Sequence, residues 1–389
     1  MLYEKTDDIL ITCLPELGKV LASEVKDMNF PVVEEKSKYV KTRGTMLDVY
    51  RMNLWLRTAS HVYFRLTSFR ARDAEELYAA VLNIPWEEIM DSSIYFSVHS
   101  YVDNDTINDN RYANLKVKDA IVDRMVDKTG KRPDSGPEKT MASFYLFWVD
   151  KEATIYIDTS GQTLSRRGYR VTTVPAPMAE SLAAAIVLIS EWDKKTPFIN
   201  PMCGSGTIAI EAALYSHRLP PSPGRTNYGF MHIKGFDKEK WVALLEEAKL
   251  LATHENSPLI RATDHSRQAM VATRNNAEKA GVLEFMEIKK CDFEDTAIPE
   301  IPGIIMLNPE YGERIGEINE LEITYNRIGN FLKQQCKDYK GYIYTGNPLL
   351  AKKIGLKTSR RMIFFNAKIE CRLLEYEVYS GTKKQPKMD

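Results

Sequence analysis

The stretch of sequence that decides the fold is IIMLNPEYGER, residues 304–314. Its first four residues are all apolar, and an Asn, a Pro and an aromatic ring follow within the next four. A short apolar run that ends in turn residues is typical of a strand buried on both faces of a parallel sheet. Ligands of such sheets bind just beyond the carboxyl ends of the strands. We therefore expect the amide of Asn308 and the ring of Tyr311 to meet a planar nucleobase that carries an amine.

A second motif, FINPMCGSGTIAIEA at residues 198–212, combines a strand, a glycine turn and a helix. Gly204 and Gly206 would let the backbone approach a ligand closely and turn sharply into the helix. An ordinary strand–helix turn has the same pattern, but two carboxylates strengthen the interpretation as a nucleoside site. Asp264 and Asp292 end the next two predicted strands, where they could accept the ribose hydroxyls and the adenine amino group of a nucleoside. Each acid would also suit a helix N-cap.

The spacing of these residues narrows the kind of cofactor. A phosphate-binding P-loop is excluded because no Gly-Lys-Ser/Thr follows the glycines. A dinucleotide fold stays open, since Ala209 at the third glycine position is tolerated in that pattern. However, Asp264 lies 264 − 206 = 58 residues after Gly206, whereas the dinucleotide pattern places its acid about 20 residues on. An adenosyl cofactor without a pyrophosphate fits better.

The whole sequence divides into four segments. Residues 1–60 and 61–160 are expected to be mixed α+β regions, 161–178 a linker rich in Gly, Arg and Pro, and 179–389 an alternation of strands and helices. Such alternation predicts an α/β fold with a parallel sheet. The predicted parallel strands cover 197–200, 259–264, 285–292, 303–307 and 341–345. An irregular insertion is expected at 219–229, before the second of them.

The end of the chain predicts an antiparallel hairpin added to the parallel sheet. Residues 361–365 and 371–379 flank a short polar turn at 366–368. In the second strand apolar and acidic residues alternate, so the hairpin should be half-buried, with Glu375 and Glu377 on its solvent side.

Composition limits the cellular setting. The 389 residues hold 53 basic and 53 acidic side chains, so contact with nucleic acid would have to come from local basic patches. The five cysteines form no C-x-x-C pair, which favours a reducing compartment without a disulfide framework or metal site. The acidic start is unlike a signal peptide, and the most apolar run is far shorter than the ~20 residues of a membrane span. We expect a cytoplasmic protein.

Longer strings of the sequence resemble one family. The motif Asn308-Pro309-Glu310-Tyr311 is similar to the N/D-P-P-Y/F motif of S-adenosylmethionine-dependent amino-methyltransferases. Further strings resemble the THUMP-domain RNA guanine-N2 methyltransferases, whose best-known bacterial members modify large-subunit ribosomal RNA. These strings are LKVKDAIVDR (115–124), RRGYR (166–170), APM (176–178), PMCGSGT (201–207) and YGER (311–314). They occur in the family's order and cover most of the chain from about residue 60.

The resemblance implies an architecture, a cofactor and a set of site residues. A ferredoxin-like piece and a THUMP RNA-binding piece would precede a Rossmann-like class I methyltransferase domain that binds S-adenosylmethionine. The implied catalytic residues are Asn308, Pro309 and Tyr311. The implied cofactor-binding residues are Asn200, Met202, Gly204, Ser205, Gly206, Thr207, Asp264, Asp292 and Asn308. The implied reaction is methylation of a guanine N2 amine in RNA, with 23S ribosomal RNA as the expected target.

Two positions depart from the family pattern. Glu310 stands where a second proline is usual, and it could either loosen the catalytic turn or point harmlessly to solvent. Asn200 replaces the usual acidic residue before the glycine turn, which keeps a hydrogen-bonding oxygen and loses the charge. Three alternatives therefore stay open: methylation of transfer RNA, a non-catalytic RNA-binding or ribosome-assembly factor, and an adenine-N6 DNA methylase.

RNA contact is expected from a cluster of guanidinium groups and a ring in the linker. The cluster consists of Arg166, Arg167, Tyr169 and Arg170, and Lys116 is a further candidate. A packed linker whose arginines form salt bridges would have the same sequence. RNA is the expected partner, with neither membrane nor metal involved. The sequence leaves the oligomeric state open, with a monomer slightly favoured.

Overall fold

The computed structural model describes residues 5–107, 109–175, 177–253, 257–312, 318–366 and 369–378. They form two compact units. The N-terminal unit comprises residues 5–14, Leu21–Arg166 and Arg225–Glu247, and the C-terminal unit comprises Pro15–Val20, Arg167–Gly224 and residues 248–378. The helices are, in chain order, α1 (Gly18–Asp27), α2 (Met46–Trp55), α3 (Ala74–Leu82), α4 (Trp86–Ile89), α5 (Asn110–Thr129), α6 (Glu180–Ile189), α7 (Thr207–Ser216), α8 (Lys238–Leu251), α9 (Arg267–Ala280), α10 (Ile318–Gln335) and α11 (Pro348–Lys353). Within the described residues, none of them has the length and apolarity needed to span a bilayer.

The N-terminal unit is built on a seven-stranded mixed sheet in the order β2-β3-β1-β4-β7-β6-β5. Its strands are β1 (Asp7–Cys13), β2 (Glu34–Lys36), β3 (Tyr39–Gly44), β4 (Ala59–Arg70), β5 (Phe96–Asp103), β6 (Ala142–Val149) and β7 (Glu152–Asp158). Only β5 and β6 pair in parallel among these strands. Residues predicted as separate α+β regions, 1–60 and 61–160, thus contribute strands to one continuous sheet.

Strand periodicity explains how this sheet buries one face. In β6 the alternate residues Phe144, Leu146 and Trp148 are fully buried in the core that also holds Val117 and Ile121 of α5. Successive strand residues point to opposite faces, so the intervening residues lie on the other face. Three helices of this unit, α2, α3 and α5, begin at a side-chain cap; at the start of α2, Thr45 and Asp48 form a capping box.

The segment Arg225–Glu247 belongs to the N-terminal unit although the sequence around it alternates like a parallel-sheet domain. Phe230 stacks on Tyr50 with ring centroids 4.3 Å apart, and its amide donates to the carbonyl of Thr159 at 3.0 Å. Gly229 lies so close to β7 that a Cβ there would be 2.1 Å from the carbonyl oxygen of Asp158. The irregular insertion predicted at 219–229 therefore leads into a segment that completes the core of the other unit.

The C-terminal unit has a second seven-stranded sheet in the order β10-β9-β8-β11-β12-β14-β13. Its strands are β8 (Phe198–Pro201), β9 (Ile260–Asp264), β10 (Met286–Lys290), β11 (Ile304–Leu307), β12 (Lys340–Thr345), β13 (Arg360–Asn366) and β14 (Ile369–Glu377). The first five strands in this order are parallel, and β14 pairs antiparallel with both β12 and β13. The predicted α/β class, the parallel strands and the two antiparallel strands of the terminal hairpin are confirmed, each parallel strand to within two residues. Residues 367 and 368 of the predicted turn lie outside the described residues.

One detail of the predicted hairpin is wrong. Glu375 was expected on the solvent side, but it is only 9% exposed. The reason is topological, since β14 is an interior strand between β12 and β13 rather than an edge. Arg360 donates to the Glu375 carboxylate at 3.0 Å and the Ser359 hydroxyl donates to it at the same distance, so the buried charge is compensated.

Candidate active site

The predicted site residues from three adjacent strands meet at one edge of the C-terminal sheet. Strand β8 lies between β9 and β11, and all three run in the same direction. The glycine turn after β8, Asp264 at the end of β9 and Asn308 after β11 therefore lie at the same edge, where ligands of such sheets bind.

Asn200 connects two of these strands within the sheet. It is fully buried, and its Nδ2 donates to the carbonyl of Met306 at 2.7 Å, which joins β8 to β11. Among the described residues, its Oδ1 has no hydrogen-bond partner. A buried carbonyl oxygen without a partner is destabilising, so this atom is a candidate for accepting a hydrogen bond from a ligand.

The glycine turn is held in a conformation that ordinary residues disfavour. Met202, Gly204 and Gly206 have φ values of 57°, 58° and 80°. A Cβ at Gly206 would lie 2.6 Å from Cγ2 of Thr273, so a side chain there meets both backbone strain and a clash. At Gly204 a Cβ would make only an ordinary contact, because the nearest atom would be 3.6 Å away. Gly206 is thus required by packing, and Gly204 leaves the backbone accessible.

Asp264 is fixed by two backbone amides. Its Oδ2 accepts the Gly204 N–H at 3.0 Å, its Oδ1 accepts the Ser266 N–H at 2.9 Å, and the residue is 8% exposed. Each carboxylate oxygen can accept a further hydrogen bond, so the group remains able to take two hydroxyls. The glycine turn and the carboxylate therefore form one rigid assembly.

Asp292 has a different environment. It caps the 3₁₀ turn Phe293–Asp295 by accepting the Glu294 N–H, and it accepts from Arg327 at 2.7 Å. Partial burial by itself raises the pKa of Asp292, but the Glu294 amide and the Arg327 guanidinium together hold that pKa below its usual value. The carboxylate stays ionised, and its expected contact with an adenine amine stays a prediction.

The Asn308 loop is positioned through its aromatic residue. Asn308 is half-buried, Pro309 is buried and Glu310 is exposed. The ring of Tyr311 packs on Gly346, where a Cβ would lie 2.9 Å from two ring carbons. Asn347 Nδ2 donates to the Tyr311 carbonyl at 3.3 Å. Residues 313 and 314 of the predicted motif lie outside the described residues.

Most of the linker cluster expected to contact RNA lies inside the C-terminal unit. Arg167 and Tyr169 are each 1% exposed, and the Tyr169 hydroxyl donates to Glu211 of α7 at 2.9 Å. Burial raises the pKa of Tyr169 well above its usual value, so it stays a neutral donor. Arg170 Nη2 donates to Thr207 Oγ1 at 3.2 Å. These residues brace α7, at whose start the glycine turn lies.

The other two candidates for RNA contact belong to the N-terminal unit. Arg166 is exposed, and Lys116 forms a 2.7 Å ion pair with Glu75. Sequence reasoning missed the supporting residues around the glycine turn, above all Asn276. The Asn276 amide accepts from Val171 and donates to the Ser205 carbonyl at 3.1 Å. No local signal marks such a residue, because its partners lie about 70 to 105 positions away.

Comparison with known proteins covers nearly the whole chain. Residues 167–375 match the family described as "RMKL-like, methyltransferase domain". Residues 8–63 match the "RlmL ferredoxin-like domain" and residues 71–158 match the "THUMP domain".

Several relatives are similar over more than nine-tenths of this chain. The "Ribosomal RNA large subunit methyltransferase K/L" of Syntrophotalea carbinolica is 37% identical over 369 residues, which are 92% of this chain and 52% of that protein. A Synechocystis protein named "Putative RNA methyltransferase slr0064" is 30% identical over 93% of this chain and 94% of its own. The chain spans about half the length of the K/L methyltransferases that it matches.

A solved structure has the same fold. The crystal structure of "SMU.472, a putative methyltransferase complexed with SAH" superimposes with a TM-score of 0.86 at 26% identity, covering 97% of this chain and all of that one.

Proposed function

Because the chain belongs to the family of RMKL-like methyltransferase domains, here behind a RlmL ferredoxin-like domain and a THUMP domain, we propose that it methylates RNA. The reaction is transfer of a methyl group from S-adenosylmethionine to the N2 amine of a guanine, and the substrate is 23S ribosomal RNA. Names of relatives support ribosomal RNA as the substrate class. With this substrate the protein acts in the cytoplasm.

The observation that carries the proposal is the placement of Asn308. It follows β11 directly and shares a sheet edge with the Asp264 carboxylate and the glycine turn. An amide that accepts hydrogen bonds therefore lies next to a site suited to a nucleoside, as transfer between a cofactor and a base amine requires.

The residues present fit S-adenosylmethionine. The partnerless Oδ1 of Asn200 can accept from an ammonium group, and the fixed Asp264 carboxylate can accept two ribose hydroxyls. Asp292 would face the adenine, and the turn from Met202 to Thr207 lets the backbone approach the ligand. When bound, the cofactor supplies a methyl group on a sulfonium, which is already a strong electrophile.

The protein's own task is to position the amine. The side-chain oxygen of Asn308 and the carbonyl of Pro309 accept the two N–H bonds, which frees the nitrogen lone pair from the ring and aims it. Tyr311 stacks on the base, and a base in structured RNA must first be flipped out. Positioning of this kind supplies much of the rate enhancement and needs no strong acid or base.

The N-terminal unit is proposed to hold the RNA. Residues 71–158 carry the THUMP match. Arg166 and Lys116 are the members of the predicted RNA-contact set that have solvent-accessible side chains in this unit. Arg167 and Tyr169 act through α7 instead, since both are buried.

The test uses a strain that lacks this protein. Ribosomal and transfer RNA from the strain are incubated with purified protein and S-adenosylmethionine, and methylated nucleosides are mapped. We expect one new N2-methylguanosine in 23S ribosomal RNA, lost with Asn308→Ala and kept with the matched control Asn319→Ala, an exposed asparagine. Calorimetry separates the alternatives: a chain that binds RNA but not S-adenosylmethionine would be a non-catalytic factor.

A further inference from the structure

A pocket with two charged side chains in its lining, Glu370 and Arg372, lies at the carboxyl end of β12. Its volume is about 220 Å³, and it is lined by Thr345, Gly346, Pro348, Glu370 and Arg372. That volume is several times the roughly 30 Å³ that a water molecule occupies in the liquid, so the edge of a planar ring can enter. Neither the cofactor site nor the methyl transfer described above uses Glu370 or Arg372.

The pocket adjoins the residue proposed to stack on the target base. Gly346 lines the pocket and also carries the ring of Tyr311, whose Cδ2 and Cε2 would lie 2.9 Å from a Cβ at that glycine. Asn366, which pairs with Ile369 in the hairpin, donates from Nδ2 to the Tyr311 hydroxyl at 3.4 Å. A base stacked on Tyr311 therefore has this pocket beside it.

The two charged residues of the pocket have opposite charges and lie on the same strand. Glu370 and Arg372 are two residues apart in β14 and so share a face of the sheet. Arg372 Nη2 donates to Glu370 Oε1 at 3.0 Å, and their side chains are 48% and 38% exposed for Glu370 and Arg372. Arg372 is directly opposite Thr345 in the sheet register, which places the pair at the end of β12. A carboxylate only accepts hydrogen bonds and a guanidinium only donates them.

The hydrogen-bonding groups at the ring edge distinguish the bases that carry an exocyclic amine. In adenine and cytosine, the ring nitrogen next to the amine-bearing carbon is an acceptor, which a carboxylate repels. In guanine, the amine-bearing carbon lies between two ring nitrogens; one of them, N1, carries a hydrogen, and the ring position next to N1 carries the O6 acceptor. The Asn308 loop can orient any of the three amines, so the choice of base has to come from the ring edge.

We propose that Glu370 and Arg372 are specificity residues that recognise guanine, Glu370 by accepting from N1–H and Arg372 by donating to O6. This inference rests on the proposed function, since it concerns the base delivered to the Asn308 loop. Glu370 rejects adenine and cytosine by meeting their ring acceptors with a negative charge.

The test compares full-length Glu370→Gln protein with wild type and with the matched control Glu377→Gln. Glu377 is an exposed residue of the same strand outside the pocket. Ribosomal RNA from the strain lacking this protein is the substrate, and N2-methylguanosine and N6-methyladenosine are counted by mass spectrometry after nuclease digestion. We expect Glu370→Gln to lower kcat/KM for guanine at least tenfold and to raise the adenine-to-guanine product ratio, because the glutamine amide can donate to adenine N1. Affinity for S-adenosylmethionine, measured by calorimetry, stays within twofold of wild type in both variants.

The possible outcomes distinguish failure of the guanine-recognition proposal from failure of the proposed function. An active wild type together with an equally active Glu370→Gln protein overturns the recognition of guanine by this pair and leaves the proposed function standing. Lower activity with an unchanged product ratio also overturns it, because a structural role would give that result. No N2-methylguanosine from wild type overturns the proposed function and this inference together.

Discussion

Substitution of Gly206 by alanine would destabilise the glycine turn in two ways, through backbone strain and through close packing against Thr273. The residue has a φ of 80°, and an added Cβ would lie 2.6 Å from Thr273 Cγ2 and 3.0 Å from its Oγ1. A non-glycine residue in the left-handed region costs about 1–2 kcal/mol. Overpacking of a buried contact costs roughly a further 1–3 kcal/mol. We therefore expect Gly206→Ala to lower the free energy of unfolding of the C-terminal unit by about 2–5 kcal/mol.

A second substitution tests the division between these two contributions. Thr273→Ser removes the Cγ2 methyl and keeps the hydroxyl that donates to the Gly204 carbonyl at 3.0 Å. In the double variant the 2.6 Å contact with Cγ2 is removed, while the 3.0 Å contact with Oγ1 and the backbone strain remain. Urea unfolding of wild type, both single variants and the double variant gives the coupling free energy between the two sites.

The reasoning makes a signed prediction for this cycle. The double variant should be more stable than the sum of the two single changes predicts, by roughly 1–3 kcal/mol, the overpacking share. Additive single effects would refute the clash, and an unaltered stability of Gly206→Ala would refute both contributions.

Three further predictions concern single side chains. Asp264→Asn should weaken S-adenosylmethionine binding roughly ten- to hundredfold in calorimetry, the equivalent of about 1.5–3 kcal/mol for hydrogen bonds to a charged group; unchanged affinity would remove this residue from the site. Glu310→Pro should leave cofactor affinity unchanged, because Glu310 is exposed, and a gain in methyl transfer above wild type would show that the glutamate loosens the loop. Asp158→Asn should destabilise the N-terminal unit at neutral pH by roughly 1–3 kcal/mol, since it removes the carboxylate that lies 2.9 Å from the Lys139 ammonium. Burial alone raises the pKa of Asp158, but His61 and Lys139 hold that pKa well below 3.8. The ionised carboxylate therefore stabilises the fold above pH 3.8, and this stabilisation is lost as the pH falls further. Urea unfolding at stepwise lower pH should show a smaller loss of stability for the variant than for wild type.

Features with a local signature were predictable from the sequence. An apolar run that ends in turn residues identified β11 and the Asn308 loop, and the glycine spacing identified the turn before α7. These signals depend on burial and backbone conformation, which neighbouring residues determine. The carboxylate of Asp264 was found in the same way, because it ends a recognisable strand.

Features that depend on distant partners could not be predicted. Glu375 looks like a solvent-facing strand residue until β13 covers it and Arg360 compensates its charge. Arg167 and Tyr169 look like RNA contacts until Glu211, more than 40 residues away, is placed between them. Local sequence gives the periodicity of each segment but not the partner that meets it in space. For the same reason, the pair Glu370 and Arg372 resembled ordinary strand charges.

The placement of Arg225–Glu247 in the N-terminal unit has a consequence for synthesis on the ribosome. The main part of that unit ends at Arg166, so 247 − 166 = 81 further residues must be made before its core can be completed. At about 5–20 residues per second, this is a delay of roughly 4–16 s. During that interval Tyr50 lacks Phe230, its ring partner. The nascent chain thus has a time window in which the N-terminal unit is unfinished and exposed to chaperones or misfolding, and a pause of translation before residue 225 would lengthen that window.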